Sequence, residues 1–497
     1  MLNNLIIFPV IIPIFAAVLC VIINNKTASY LIYLASALAS LVFSYLLFQK
    51  VFSAGEIRYV FGNFDAPYGI EYRADYLSST FLLLLSAIFF AISFFSFHSV
   101  RDEVKPNKIS GFYCLLLLCY TGLAGITLSN DIFNIYVFIE IASLATYSLA
   151  TFGNNKNSLK AAYDYLILGT IGATFILIGI GYIYITVGTL NIDDIQNKLI
   201  LVNNFRAIIV GVAFLLMGII LKIALFPFHM WLVRIYTYSP SVISAFLASV
   251  ATKIAIYLLI RFSFFLFGIN FSLNTVGVKE TLIIMAIAGI FAGSISALFH
   301  DNAKRVLAFS SIASIGVIIL ALTIGQENLF SASLLFLITD ALAKALLFCS
   351  LGAIYYRTKN LKISEFIKIR KTMPITFIGL VIGLASLCGI PATAGFISKL
   401  ILITNLFKGE HYSLMILIII FSITSLVYAW RILEPLYFSN SNKEAPKEVP
   451  FLMQATIVIL IVANIYFGIY SYDLVEVTNK IANQIFSNSQ IIIPKFL

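Results

Sequence analysis

Fourteen stretches of roughly helical length run through this 497-residue chain with scarcely a charge between their ends. They lie near residues 5–23, 28–48, 75–97, 109–128, 132–151, 162–188, 207–230, 240–262, 281–299, 305–324, 330–353, 375–406, 412–432 and 451–471. About 20 apolar residues cross the hydrocarbon core of a bilayer as a helix. A barrel strand would instead alternate polar and apolar residues over about ten positions, and these segments do not alternate. Each is therefore predicted to be a helix that satisfies its own backbone in lipid. Composition agrees: 61% of the residues are hydrophobic and 11% charged, against about 25% charged in soluble domains. An ordinary cytosolic enzyme, a disordered chain and a disulfide-stapled secreted domain are all excluded. Asn3 and Asn4 lead straight into the first run, with no basic segment and no clear small-residue cleavage site. The first span is expected to be retained.

The net charge of +10 is spread over many short loops, which is an orientation signal and not a nucleic-acid footprint. If the loop after span 1 is cytoplasmic, 17 of the 32 basic residues fall on that side and 10 on the other. The strongest single contribution is YYRTKNLKISEFIKIRK (355–371). Both termini are then predicted to face outward, with Arg431 closing span 13. Four lysines fit neither side: Lys222, Lys253, Lys344 and Lys399 lie inside predicted spans. A lysine at mid-bilayer costs roughly 2.5–3.5 kcal/mol on insertion scales, so four of them call for a function.

Two acids are stranded with them. Glu140 is central in span 5 and has no basic residue in its own span; its expected partner is Lys222 on another helix. Asp340 precedes Lys344 by four residues, so the two share a helical face and can pair. Making or breaking such pairs shifts a lysine between its charged and neutral forms. Two of the lysines also adjoin broken helices. Pro227 follows Lys222 in KIALFPFHMWL, and Gly389, Pro391 and Gly395 precede Lys399 in CGIPATAGFISKL. Proline removes a backbone bond, and freed carbonyls at membrane depth need protein, water or an ion. Such interruptions at matching positions of two halves point to a transport site.

These observations predict an all-α polytopic membrane protein of about 14 transmembrane helices. Residues 1–108 hold spans 1–3, 109–262 a first five-helix repeat, 263–433 a second, and 434–497 span 14 and a tail. The breaks fall at spans 7 and 12, the fourth helix of each repeat. Five being odd, the second repeat enters from the opposite side and is inverted. His229, after the first break, is a candidate proton relay, and His300, beside Asp301, Lys304 and Arg305, a candidate entry port. His98 and His411 read as loop residues. Glycines 169–181 suit close helix packing. Cys20, Cys114, Cys119, Cys349 and Cys388 lie in apolar runs as small hydrophobes. No P-loop, dinucleotide fingerprint, cluster-binding cysteines or metal-spaced ligands are present in the sequence, so neither a cofactor nor a bound metal is expected.

Glu140, then KIALFPFHMWL, SPSVISAFLASVATKIAIYLLIR (239–261), KRVLAFSSIASIG (304–316), DALAKALLF and GIPATAGFISKL occur in an order that resembles the proton-conducting antiporter-like membrane subunits. These serve the Mrp-type monovalent cation/proton antiporters and respiratory complex I. The stretches 63–79, 129–149 and 182–195 are most similar to the D-type subunits of the Mrp antiporters. The resemblance implies a polar mid-membrane axis, with Glu140, Lys222, Lys253, Lys344 and Lys399 matching the family's relay positions. Many relatives have histidine where this chain has Asp340, and a carboxylate there favours a charged Lys344. The function implied is a proton-translocating, membrane-embedded subunit of a hetero-oligomeric sodium or other monovalent cation/proton antiporter. The alternative is a pumping subunit of NADH:quinone oxidoreductase; an inert scaffold would require the four lysines to be dispensable.

Overall fold

The computed structural model describes residues 2–153, 156–202, 205–268, 278–366, 369–438 and 447–488. Lys368, Lys443 and Lys495, which contribute to the charge asymmetry, lie outside them. Among the described residues twelve helices are long and apolar enough to cross a membrane, and Phe8–Ile23 and Pro374–Cys388 are shorter apolar helices. In chain order the spans are 1 (Phe8–Ile23), 2 (Lys26–Ala54), 3 (Tyr76–Glu103), 4 (Ile109–Leu128), 5 (Ile132–Ala150), 6 (Lys156–Val187), 7a (Arg206–Ile223) with 7b (Met230–Tyr238), and 8 (Ser241–Leu266). There follow 9 (Val278–Phe299), 10 (Ala303–Ile324), 11 (Glu327–Thr358), 12a (Pro374–Cys388) with 12b (Ala394–Lys408), 13 (Tyr412–Phe438) and 14 (Phe451–Ile469).

Neighbour relations recur. Span 4 packs on 5 as 9 packs on 10, 5 on 6 as 10 on 11, 6 on 7 as 11 on 12, and 4 on 8 as 9 on 13. Spans 6 and 7a approach at the expected glycines: a methyl added at Gly218 would meet the Gly172 carbonyl at 2.5 Å. Spans 8, 10 and 11 form the interior, since nearly all of their apolar stretches are buried, whereas spans 2, 13 and 14 are largely peripheral.

Both expected breaks are present. Span 7a ends at Ala224, with φ 62°, and span 12a at Gly389, with φ 82°, followed by Ala392 at φ 67°. Positive φ is uncommon for alanine, so the chain holds two strained turns at membrane depth. The Leu221 carbonyl in the last turn of span 7a accepts the Ala224 N–H at 3.3 Å and Trp231 Nε1 at 3.1 Å. Span 8 is helical throughout but widens twice into π geometry, at Leu247–Ala251 and Arg261–Leu266.

Several boundaries differ from the sequence reading. Span 7 resumes as 7b, so Arg234, expected in a loop, sits on a helix and pairs with Asp164 of span 6. His98 lies within span 3, which continues to Glu103. Span 13 runs seven residues beyond Arg431, which instead reaches Asp301. The connection before span 3 carries an antiparallel hairpin, β1 (Ile57–Val60) with β2 (Glu71–Ala74). The tail is an amphipathic helix, Tyr472–Asn488, whose Thr478, Ile481, Ala482 and Ile485 are buried at helical spacing. That period is visible in the sequence, but the low hydropathy of the segment hides it from a search for spans. The hairpin and this helix lie at the same end of the bundle, here called the hairpin face.

Candidate functional site

Span 5 starts at Asp131, whose carboxylate caps the Asn134 N–H at 2.7 Å. The inward face of this helix presents Ser143 toward span 7a. Lys222 Nζ donates to Ser143 Oγ at 2.7 Å and lies 3.4 Å from the Tyr147 hydroxyl. Glu140, the expected partner, forms no ion pair within 4.0 Å among the described residues, although its charge reaches Lys222, Tyr136 and Tyr147. The reason is rotational: Glu140 belongs to the stripe of span 5 on which Phe133, Val137 and Leu144 are exposed. It stands at the rim of the site while Ser143, three residues on, faces inward. Beside Lys222 is a cavity of about 60 Å³ lined by Ser143, Thr146, Tyr236 and Thr252, among others. Polar groups and that volume are what an internal water requires.

The cavity leads toward span 8. There the first π segment displaces the Ala248 carbonyl from the regular ladder, and Lys253 Nζ donates to it at 2.8 Å. Single π turns of this kind often mark functional positions. Lys253 also pairs with Asp340 of span 11 at 2.8 Å; the two residues are 1% and 5% exposed. This corrects the expectation that Asp340 pairs with Lys344 along its own helix. Lys344, fully buried, turns to span 10, where its Nζ bonds Ser310 Oγ and the Leu307 carbonyl. Spacing places the two residues on one face, but the buried Lys253 ammonium approaches Asp340 more closely. Lys344 stays within the electrostatic reach of Asp340, Lys253 and Lys399.

Lys399 completes the series at the second break. Its Nζ donates to the Leu387 and Cys388 carbonyls at 2.8 and 3.2 Å, and lies 4.8 Å from the centre of the Phe421 ring. Span 12b thus supplies the charge that satisfies the C-terminal carbonyls of span 12a, where a cation is favoured. Gly389 is required twice, for its φ and because a Cβ there would lie 2.9 Å from the lysine stem. Pro391 follows in the same turn, as Pro227 does in the first break.

The histidines stand apart from this series. His229 begins span 7b, stacks on Phe226 and has an unbonded Nδ1. His300 packs on Phe309 at 4.8 Å; burial and the nearby Arg305 hold its imidazole below the ordinary range. The cluster expected around His300 divides. Asp301 turns out to Arg431, while Lys304 turns inward to Ser241 Oγ at 3.2 Å and the Ser239 carbonyl at 3.4 Å.

Sequence reasoning misses two further polar contacts, both on span 3. Glu103 accepts the Ser241 N–H at 2.9 Å, capping span 8 at the end opposite the hairpin, close to Lys304. At the hairpin end, Asp75 grips Arg261 with two bonds of 2.6 and 3.0 Å, both residues being buried. Arg261 counts among the loop charges when only the sequence is considered. The run FSFFLF after it is the available sign that the helix continues.

No group of three or more metal-ligating side chains occurs among the described residues. The arrangement is a series of lysines, one of them paired with a carboxylate, and hydroxyls, spread across two helix breaks; ammonium, carboxylate and hydroxyl groups are each able to hold or pass a proton.

Residues 129–426 match the family described as NADH:quinone oxidoreductase/Mrp antiporter, transmembrane. The chain is 32% identical over 488 residues to NADH-quinone oxidoreductase subunit N of Desulforudis audaxviator, covering 94% of this chain and 96% of that one. It is 30% identical over 494 residues to the putative antiporter subunit mnhD2 of Staphylococcus aureus, covering 99% and 97%. Its fold matches a chain of the Mrp complex from a Dietzia species with a TM-score of 0.88 at 21% identity, covering 97% of each. The protein is a member of the NADH:quinone oxidoreductase/Mrp antiporter membrane family.

Proposed function

We propose that this chain is the proton-translocating subunit of a multisubunit antiporter that exchanges protons for sodium or another monovalent cation. The observation that carries the reading is the buried Lys253–Asp340 contact between spans 8 and 11. It joins the cavity beside Lys222 to Lys344 and Lys399. Protons enter this series at Lys222, where Glu140 at the rim biases the ammonium, and pass by way of the cavity to Lys253. Asp340 hands the charge on to Lys344, and Lys399 holds it at the second break. His229 and His300, which stand apart from this series, are assigned as secondary relays at its edge. The membrane potential supplies about 2.3 kcal/mol per charge per 100 mV.

The recurring neighbour relations support reading residues 109–262 and 263–433 as two inverted repeats. The charge asymmetry supports placing the hairpin face and both termini on the non-cytoplasmic side. The other membrane subunits of the complex complete the cation path.

The test is proton flux in membrane vesicles. Glu140→Ala and Lys222→Ala are expected to abolish it while the complex still assembles; normal flux in both variants sinks the reading. The similarity to the NADH-quinone oxidoreductase relative favours a second reading, a pumping subunit of that enzyme. Purification of the native complex separates them: small hydrophobic antiporter subunits accompany the first, iron–sulfur and flavin subunits the second.

A further inference from the structure

The relay leaves one buried charged pair unused. Asp75 opens span 3 and is fully buried; Arg261 begins the second π segment of span 8 and is 3% exposed. Their contact is bidentate, Asp75 Oδ2 to Nη1 at 2.6 Å and Oδ1 to Nη2 at 3.0 Å. The Tyr257 hydroxyl accepts from Arg261 Nε at 3.1 Å and Nη2 at 2.9 Å, and donates to the Thr127 carbonyl at 2.7 Å. Lys253, Tyr257 and Arg261 follow at intervals of four, so they line one face of span 8. Arg261 therefore lies two turns along span 8 from Lys253 on the same side of the helix, while the Lys253 ammonium reaches the other way, to the Ala248 carbonyl.

From Arg261 outward the polar groups continue to the surface. Phe265 lies under Arg261 at 4.4 Å and near Arg73 at 6.0 Å. Arg73 pairs with Glu56 at 2.8 Å and Asp193 at 2.6 Å, and Asp193 pairs with the half-exposed Arg58 at 2.8 Å. Asn130 Nδ2 ties Glu71 to Asp193 at 3.0 and 3.2 Å. A charged column thus runs from the hairpin face into the membrane and, with the Tyr257 hydroxyl, stops one turn short of Lys253.

Arginine does not give up its proton, so Arg261 cannot be a carrier. A fixed guanidinium on a proton path is a barrier to positive charge, as arginines are in selective pores. Asp75 moderates that barrier by pairing with it. We propose that Asp75 and Arg261 form a gate that closes the hairpin end of the route to Lys253. When the pair parts, water from the Arg73–Asp193 network reaches the Tyr257 hydroxyl and the Lys253 ammonium. The proposal rests on the relay reading above.

The two halves of the pair make opposite predictions, which a passive clamp does not. Arg261→Gln removes the barrier and leaves a carboxylate in the path, so passive proton leak through the complex in proteoliposomes rises several-fold. Asp75→Asn leaves an uncompensated guanidinium, so leak stays low and coupled flux falls several-fold. Arg261→Lys restores tightness. Changes in the same direction in both variants, or no change in either, overturn the gate. Should a variant fail to assemble, Tyr257→Phe carries the test: it loosens Arg261 and raises leak, and unchanged leak overturns the proposal. Lys253→Ala separates the two ideas. If it leaves coupled flux intact, the relay reading fails; if it stops flux while the gate variants behave alike, only the gate fails.

Discussion

Lys222 and Lys253 belong to consecutive spans, yet the chain surrounds them differently. Lys222 is partly accessible, bonded to a serine hydroxyl, beside a cavity, and its nearest carboxylate stands off at the rim. Lys253 is sealed, bonded to a displaced backbone carbonyl and ion-paired to Asp340 across a helix interface. Taking two charges out of water costs several kcal/mol per ion, and only excellent geometry recovers it. The first region can therefore exchange water and change charge with little rearrangement. The second holds its charges by mutual compensation, and moving one proton disturbs the others. The same residue type is bonded to a hydroxyl beside a cavity in one place and locked into a buried ion pair in the other.

The contrast is most easily broken at the sealed pair. Asp340→Ala leaves the Lys253 ammonium uncompensated, a loss of about 3–5 kcal/mol for a buried pair cut on one side. It should appear as a lowered melting temperature in detergent together with loss of proton flux. A variant as stable as the parent would mean that the Lys253–Asp340 contact does not hold spans 8 and 11 together. Beside Lys222, filling the cavity tests whether water matters. Ala255→Leu adds apolar volume to its wall, and flux should fall about tenfold, the equivalent of 1.4 kcal/mol, with the melting temperature little changed. Unaltered flux would exclude water in that cavity from the path. The smallest effect is expected from Ser143→Ala. It removes one hydrogen bond to a charged group, about 1.5–3 kcal/mol before solvent from the cavity replaces it, so flux should fall only a few-fold. A complete loss would show Ser143 to be a relay hydroxyl in its own right.

Much of this is legible in the sequence because a bilayer imposes strong local rules. A span must be long and apolar, a stranded lysine is expensive, and Pro227 or Pro391 with Gly389 must interrupt a helix wherever they are packed. Glu140, Lys222, Lys253, Lys344 and Lys399 each stand out by cost alone. The pairing is what the sequence does not hold. Spacing assigns Asp340 to Lys344, but it says only that two residues share a face, and elimination alone assigns Glu140 to Lys222. Asp75, Glu103 and Lys304 are hidden because a charge at a helix end looks like a loop charge until the end is seen to be buried.

The sequence by itself therefore determined that the chain crosses the membrane many times, where two of its helices break, and which charges lie in between. These are consequences of each segment's own transfer energy. Only the tertiary structure decided which charge faces which: Lys253 toward Asp340, Lys399 toward the end of span 12a, Arg261 toward Asp75, and Glu140 toward the rim. Those choices depend on the rotation of each helix about its axis. That rotation is set by close packing against neighbours remote in sequence, as at Gly172 and Gly218, and no local rule contains it.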